Sequence, residues 1–153
     1  MTAPVSVTFL GGLGEIGRNC AAIEVEGRIM LIDCGLMFPD ADMLGVDLVL
    51  PDFRWLLERA DDIEGCIVTH GHEDHHGALA YLLRELSFPI IGSALSLGFA
   101  SNRIDEAGLM DRTRMIVVKD NERRRFGPFD CEFIPVTHSV PQGFATAFHT
   151  PQG

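Results

Sequence analysis

The chain has 153 residues, of which 46% are hydrophobic and 22% are charged, a composition typical of a folded domain with its own core. Its formal net charge of −10 argues against a broad basic surface for nucleic acid. This charge does not exclude a nuclease, because bound metal ions attract phosphate locally. No apolar run approaches the roughly 18 residues of a membrane span, and the first residues lack the basic start and apolar block of a signal peptide.

The first part of the chain is predicted to be rich in β-structure. Residues 5–10 alternate and include β-branched side chains, which predicts a strand. Residues 20–26 and 28–34 are predicted to form two further strands, joined by a hairpin turn at Glu26-Gly27.

A glycine-rich loop, residues 11–19, separates the first two predicted strands. Its glycines allow close backbone approach or positive φ angles. The loop contains Gly12-x-Gly14-x-x-Gly17, but no helical pattern follows it. A dinucleotide site requires that helix, so we expect no nucleotide cofactor here.

After a long loop at residues 36–51, strands and helices alternate along the chain. The predicted elements are a helix at 53–60 capped by Asp52, a strand at 65–68, a helix at 76–86, a strand at 89–92, a helix at 93–107 that stops at Gly108, a strand at 115–118, a hairpin of strands 122–126 and 129–136, and a strand that starts at 144. This order predicts a mixed α/β fold.

The segment Thr69-His70-Gly71-His72-Glu73-Asp74-His75 lies between an apolar run and a helical pattern. The chain has six histidines, and three of them fall in this segment. Imidazole and carboxylate are the ligands that Zn²⁺ takes when it keeps a position open for water. A strand, a tight loop and a helix would hold the segment at the carboxyl end of a buried strand, where open α/β sheets place their sites. The alternative is a polar surface loop, or histidines whose ring nitrogens are satisfied by hydrogen bonds.

Asp33 stands at the end of the third predicted strand, in Asp33-Cys34-Gly35. A carboxylate there could accept the spare ring N–H of a ligating histidine and so set its tautomer. The alternative is a turn-forming aspartate.

These motifs together resemble the ribonuclease J family of the metallo-β-lactamase superfamily. His70-x-His72-x-Asp74-His75 resembles the metal-binding signature of the superfamily as a whole. The segments that are similar to ribonuclease J are Gly11 to Asn19, Ile32 to Gly35, the loop from Phe38 to Asp52, and Thr137-His138-Ser139-Val140-Pro141. The resemblance extends from about Val7 to the end of the chain.

The resemblance implies an αββα sandwich, of which this chain is the amino-terminal half, and two zinc ions in the complete protein. It implies that His70, His72 and His138 hold the first zinc, that Asp74 and His75 begin the second site, and that Asp33 supports a ligand. We also expect Asp74 to orient the attacking water.

The resemblance further implies hydrolysis of RNA phosphodiester bonds in RNA processing and decay, an RNA partner, a homo-oligomer in the complete protein and no membrane. It implies that residues 1–153 are a partial metallo-β-lactamase domain. The bridging aspartate, a further histidine ligand, the second half of the sandwich, the β-CASP insert and the carboxy-terminal region would then lie beyond Gly153. We therefore expect weak or no activity from this chain alone.

Two other functions stay open for the chain. One is a small-molecule metallohydrolase that acts on an ester, thioester or lactam, as elsewhere in the superfamily. The glycine-rich start and the His138-Ser139-Val140-Pro141 segment argue against it. The other is a non-catalytic zinc-binding module, which the expected lack of the bridging carboxylate favours.

Several reactive residues have simpler interpretations. We expect Glu73 to be a solvated spacer, His149 to be structural, and His76 to face solvent or substrate outside the ligand set. Arg123-Arg124-Arg125 is interpreted as a solvated turn between strands.

The four scattered cysteines are Cys20, Cys34, Cys66 and Cys131. They lack C-x-x-C spacing, which predicts buried free thiols and a cytoplasmic location.

Overall fold

Two β-sheets lie face to face, and helices cover the other face of the larger sheet. The computed structural model describes residues 4–150. The strands are β1 (Ser6–Gly11), β2 (Cys20–Val25), β3 (Arg28–Ile32), β4 (Ile63–Ile67), β5 (Ile90–Gly92), β6 (Met115–Val117), β7 (Arg123–Phe126), β8 (Phe129–Val136) and β9 (Gly143–His149). The helices are α1 (Arg54–Leu57), α2 (Glu73–His76), α3 (Leu79–Glu85) and α4 (Ala94–Glu106), with 3-10 turns at Ala60–Asp62 and Met110–Arg112.

The larger sheet has six strands in the order β1-β2-β3-β4-β5-β6. The first three strands are antiparallel, and β3 to β6 are parallel. The predicted hairpin between β2 and β3 is confirmed, and both turn residues, Glu26 and Gly27, have the positive φ angles of a tight hairpin turn. Because parallel strands end at the same edge, the segments after β3, β4 and β5 all leave the sheet on one side.

The central strands are buried on both faces. Leu31 and Cys66 belong to the core between the sheet and the helices, whereas Met30 and Ile67 belong to the core between the two sheets. Neighbouring residues of a strand point to opposite faces, so each strand contributes to both cores. This is why the sequence before the histidine-rich segment is a continuous apolar run.

The smaller sheet has three antiparallel strands in the order β7-β8-β9. It packs onto the larger sheet through Phe129, Phe133 and Phe144, which share a core cluster with Met30 and Ile67. Phe144 also donates its backbone N–H to the carbonyl of Thr69 over 2.8 Å. The start of β9 is therefore attached directly to the loop that carries the histidines.

The single helix predicted at residues 76–86 is wrong. The structure has two short helices, α2 and α3, with a break at Gly77 and Ala78. The N–H of Ala78 donates to the carbonyl of Cys34 over 2.9 Å, so it cannot close a helical hydrogen bond. A contact with the end of β3 has overridden the local helical pattern.

Two smaller predictions also need correction. The strand predicted at residues 122–126 is confirmed as β7, so the interpretation of Arg123 to Arg125 as a turn is wrong, and Arg123 pairs with Asp130 of β8 through a 2.8 Å contact. Asp52 stands one residue before the cap position of α1, where its side chain accepts the N–H of Arg54 over 3.1 Å.

All four cysteines are free and buried, as predicted. Burial raises the pKa of the Cys34 and Cys66 thiols well above the usual range, which keeps them protonated and unreactive. Among residues 4–150, no helix has the length and apolar character needed to cross a bilayer.

Candidate metal centre

The histidine-rich segment lies where the ends of β3 and β4 meet the connection between β8 and β9. The chain leaves β4 at Ile67, forms a short loop and enters α2 at Glu73. Asp33 follows β3 directly, and its backbone N–H donates to the carbonyl of Ile67 over 2.8 Å. The β8–β9 connection carries His138 to the same place, so three separate parts of the chain meet at the sheet edge.

Three imidazoles converge at this edge. Nε2 of His70 lies 3.0 Å from Nδ1 of His72, and Nε2 of His138 lies 3.2 Å from that same Nδ1. The three ligand atoms all lie within 4.8 Å of one another. Nitrogens that share a tetrahedral zinc are about 3.3 Å apart, given Zn–N bonds of about 2.0–2.1 Å. The three side chains therefore fit a single metal ion.

The charge state of His70 also fits metal binding. Burial, together with the neighbouring imidazoles of His75, His138 and His72, lowers the pKa of His70 to about 4. The ring is therefore neutral near pH 7 and has a free lone pair for a metal ion.

Asp33 and Thr69 orient the rings of His75 and His70 through hydrogen bonds. The Asp33 carboxylate accepts the Thr69 N–H over 2.7 Å and the Thr69 hydroxyl over 2.8 Å. The same hydroxyl lies 3.0 Å from Nδ1 of His70. With its proton donated to Asp33, the hydroxyl can accept the Nδ1–H of His70, which leaves Nε2 unprotonated and directed at His72.

A second group of ligand atoms lies beside the first. Oδ2 of Asp33 is 2.7 Å from Nδ1 of His75, and Nε2 of His75 is 3.4 Å from Oδ2 of Asp74. Burial lowers the pKa of His75, but the hydrogen bond and charge of Asp33 outweigh it and raise that pKa overall. Asn19 completes the group, because its amide donates to Oδ2 of Asp74 over 3.2 Å.

The backbone around Asp74 is tightly packed against Gly35. The N–H groups of Asn19, Cys34 and Leu36 donate to the carbonyls of Asp74, His75 and Glu73. A methyl group at Gly35 would overlap the Asp74 carbonyl and lie 2.6 Å from the amide nitrogen of His75. Only glycine allows the two segments to approach this closely.

The geometry agrees with a family comparison. The family model described as the metallo-beta-lactamase superfamily matches residues 13–143. The chain belongs to the metallo-beta-lactamase superfamily. The fold of this superfamily implies a divalent metal ion, and His70, His72 and His138 form its candidate site here.

Relatives in this superfamily include several proteins named ribonuclease J. The chain is 44% identical over 154 residues to ribonuclease J of Synechocystis sp., with 99% of this chain and 24% of that protein covered. It is 43% identical to ribonuclease J of Mycobacterium tuberculosis, with 96% of this chain and 26% of that protein covered. The chain thus spans about a quarter of the length of these curated relatives.

Solved structures share the metallo-beta-lactamase fold at low sequence identity. The metallo-beta-lactamase fold protein YhfI from Bacillus subtilis aligns with a TM-score of 0.67 at 18% identity, over 95% of this chain and 58% of that one. Human tRNase Z, short form, aligns with a TM-score of 0.59 at 17% identity, over 94% of this chain and 64% of that one. The predicted α/β fold of metallo-β-lactamase type is confirmed.

The structure brings together all five residues predicted as metal ligands, in two adjacent groups. His70, His72 and His138 form one group, and Asp74 and His75 form the other. Asp33 contacts His75, the contact expected of a supporting carboxylate. Their roles toward a metal in this superfamily member stay predictions.

His76 and Glu73 differ from expectation, whereas His149 lies away from the site. His76 does not face solvent: it is only 2% exposed, and its Nε2 lies 3.2 Å from the carbonyl of Gly71. Glu73 is more than a solvated spacer, because both of its oxygens contact Nε of Arg103, at 3.2 and 3.1 Å. His149 pairs with Glu132 over 2.8 Å, away from the metal-binding segments.

Thr69 and Asn19 were not predicted as site residues, although Thr69 contacts His70 and Asn19 contacts Asp74. The position of Thr69 directly before His70 was the available signal, since a hydroxyl there is close to the ring. Asn19 was visible only as the end of the glycine-rich loop, and its contact with Asp74 spans 55 positions in the chain.

Replacing Asp33 by asparagine is expected to weaken zinc binding by about 10–100-fold. The amide would offer only one oxygen to the three donors that Asp33 now accepts, so the rings of His70 and His75 would lose their fixed orientation. Competition with a zinc chelator measures this change. Asp130→Asn is the matched control, because Asp130 pairs with Arg123 outside the site. Equal zinc affinities in the two variants would contradict the role of Asp33.

Proposed function

We propose that this chain is the metal-binding part of a zinc-dependent ribonuclease of the ribonuclease J type, which hydrolyses RNA phosphodiester bonds. The observation that carries the proposal is the convergence of His70, His72 and His138 at the edge of the sheet. The 44% identity to ribonuclease J of Synechocystis sp. supports the choice of RNA as substrate within the superfamily.

Each side chain has a role in this proposal. His70, His72 and His138 bind the first zinc through ring nitrogens, and Asp74 and His75 begin the second zinc site. Asp33 and Thr69 hold the tautomers of His75 and His70 in the ligating form. The chemistry that zinc supplies when bound is activation of water near neutral pH and neutralisation of the charge that builds up on the phosphoryl oxygens.

Asp74 has a second role in the proposal. Its carboxylate is partly exposed, and Asn19 holds one of its oxygens from the side of the glycine-rich loop. It can therefore accept a hydrogen bond from the attacking water and orient the water toward phosphorus. Alignment of the reacting atoms lowers the entropy cost of the attack.

The biological setting belongs to the same proposal. RNA is the partner, the complete protein forms a homo-oligomer, and the protein works in the cytoplasm in RNA processing and decay. The four free buried thiols support a reducing compartment. We also propose that residues 1–153 form part of one metallo-β-lactamase domain.

The test combines zinc analysis with three substrates. Elemental analysis of the purified chain is expected to find at least one zinc per chain. With zinc bound, we expect slow cleavage of an RNA oligonucleotide that is lost in His72→Ala, and no hydrolysis of a lactam or a thioester. Hydrolysis of the lactam or thioester but not RNA would favour a small-molecule hydrolase. Zinc binding without any hydrolysis would favour a non-catalytic module.

A further inference from the structure

A cavity of about 490 Å³ lies beside the candidate metal centre, between the histidine-rich segment and α4. This volume is within the range of small-molecule sites, roughly 300–1,000 Å³. On one side the cavity is lined by His72 and Glu73, and on the other by Phe99, Asn102, Arg103 and Glu106. Since His72 lines it, the cavity borders the candidate metal centre.

One face of α4 forms the cavity wall. Phe99, Asn102, Arg103 and Glu106 follow the spacing of a single helical stripe. The buried residues of the helix are Ser96, Leu97, Ala100 and Ile104. The cavity face is therefore separate from the face that packs on the core.

The charges of the cavity do not suit a phosphate group. Glu73 holds the Arg103 guanidinium through contacts of 3.2 and 3.1 Å, so the positive charge of Arg103 is already neutralised. Glu106 has no ion-pair partner within residues 4–150 and leaves the cavity acidic. A fitting ligand is an uncharged group that presents N–H donors.

The remaining side chains suit a flat heterocycle. Phe99 is 43% exposed, and its ring packs so closely against Gly71 that a methyl group there would overlap it. An exposed ring held in place this way is a stacking platform. Asn102 is exposed, and its amide makes no hydrogen bond in the part of the chain that the structure describes. It offers one donor and one acceptor group, as needed to bind a base edge.

We propose that this cavity binds one nucleobase of the RNA strand whose phosphodiester lies at the metal centre; this inference rests on the proposed function. Phe99 stacks on the base, Asn102 hydrogen-bonds to its edge, and the Glu106 carboxylate accepts its amino and ring N–H groups. A carboxylate accepts but cannot donate, so guanine, which presents two adjacent N–H groups, binds more tightly than uracil, whose single ring N–H lies between two carbonyls.

The test is calorimetric titration of the chain with guanosine, uridine and ribose in zinc-free buffer containing a chelator. We expect guanosine to bind at least about five-fold more tightly than uridine, and ribose not to bind. Phe99→Ala is expected to weaken guanosine binding by at least about five-fold. Glu106→Gln is expected to reduce the preference for guanosine over uridine to less than about two-fold.

The matched control for Phe99→Ala is Leu57→Ala, because Leu57 of α1 is also 43% exposed and lies outside the cavity. Leu57→Ala is expected to leave guanosine affinity unchanged. No nucleoside binding, or equal loss in both alanine variants, would overturn the inference. Because zinc is absent from this titration, its failure is distinct from failure of the proposed function. RNA cleavage without nucleoside binding would reject the base site alone. Nucleoside binding without RNA cleavage would support the base site and reject only RNA cleavage by this chain on its own.

Discussion

His138→Ala is expected to lower the zinc affinity of the chain by about a hundredfold or more. The free energy of zinc binding at complete four-ligand sites in small domains is about 10–16 kcal/mol, or roughly 3 kcal/mol for each ligand. His138 is one of three imidazoles that converge at the candidate site, so its loss removes a full ligand. Chelator competition measures the affinity directly.

The stability of His138→Ala without zinc shows whether the substitution removes a ligand or unfolds the chain. His138 is exposed and lies outside the strands, so we expect the free energy of unfolding without zinc to change by less than about 0.5 kcal/mol. Zinc at a hundred times its dissociation constant stabilises the original chain by about 2.7 kcal/mol, and the variant should lose nearly all of this. His149→Ala is the control histidine, because His149 pairs with Glu132 instead. Unchanged zinc affinity in His138→Ala would remove His138 from the ligand set.

Gly35→Ala is expected to destabilise the chain by about 3 kcal/mol or more and to abolish zinc binding at Asp74 and His75. The added methyl group would overlap the Asp74 carbonyl, and backbone cannot move aside as cheaply as a flexible side chain. The segment around Asp74 would have to shift, together with the ligand atoms it carries. Thermal unfolding and zinc stoichiometry measure the two effects.

Gly98→Ala is the matched control for this substitution. Gly98 lies in the interior of α4, and no atom lies within 4 Å of the position that its Cβ would occupy. Alanine is a better helix former than glycine, so this variant should gain about 0.5–1 kcal/mol. A Gly35→Ala variant as stable as the original chain would contradict the close approach of the two segments.

The strands were the most predictable part of the fold. Alternation, β-branched residues and the Glu26-Gly27 turn are local signals, and the observed β1, β2 and β3 lie within two residues of their predicted ends. The break between α2 and α3 was not predictable, since it arises from the hydrogen bond between Ala78 and Cys34. That contact exists only after β3 and the histidine-rich segment have come together.

Some residues of the candidate site were likewise predictable from the sequence, and others were not. The spacing of His70, His72, Asp74 and His75 marks them without any structure, because so many ligand-type residues in one short segment are unusual. His138 was assigned by resemblance alone, and the structure places it next to His72. The link from Asp33 through the Thr69 hydroxyl to His70 depends on side-chain orientation, which no sequence pattern describes. Strand β7 follows from the pattern of residues 122–126, but the run of charge at Arg123 to Arg125 also suits a turn, because a charged edge strand and a charged turn have similar composition.

The distance along the chain between His72 and His138, 66 positions, determines when the centre can assemble. Because His138 lies between β8 and β9 of the smaller sheet, we expect these histidines to meet late in folding, once the entropic cost of closing this long loop has been met. The local contacts of β1 to β3 need no such closure. If zinc is the bound metal, we therefore expect it to slow unfolding of the native chain and to leave the folding rate unchanged.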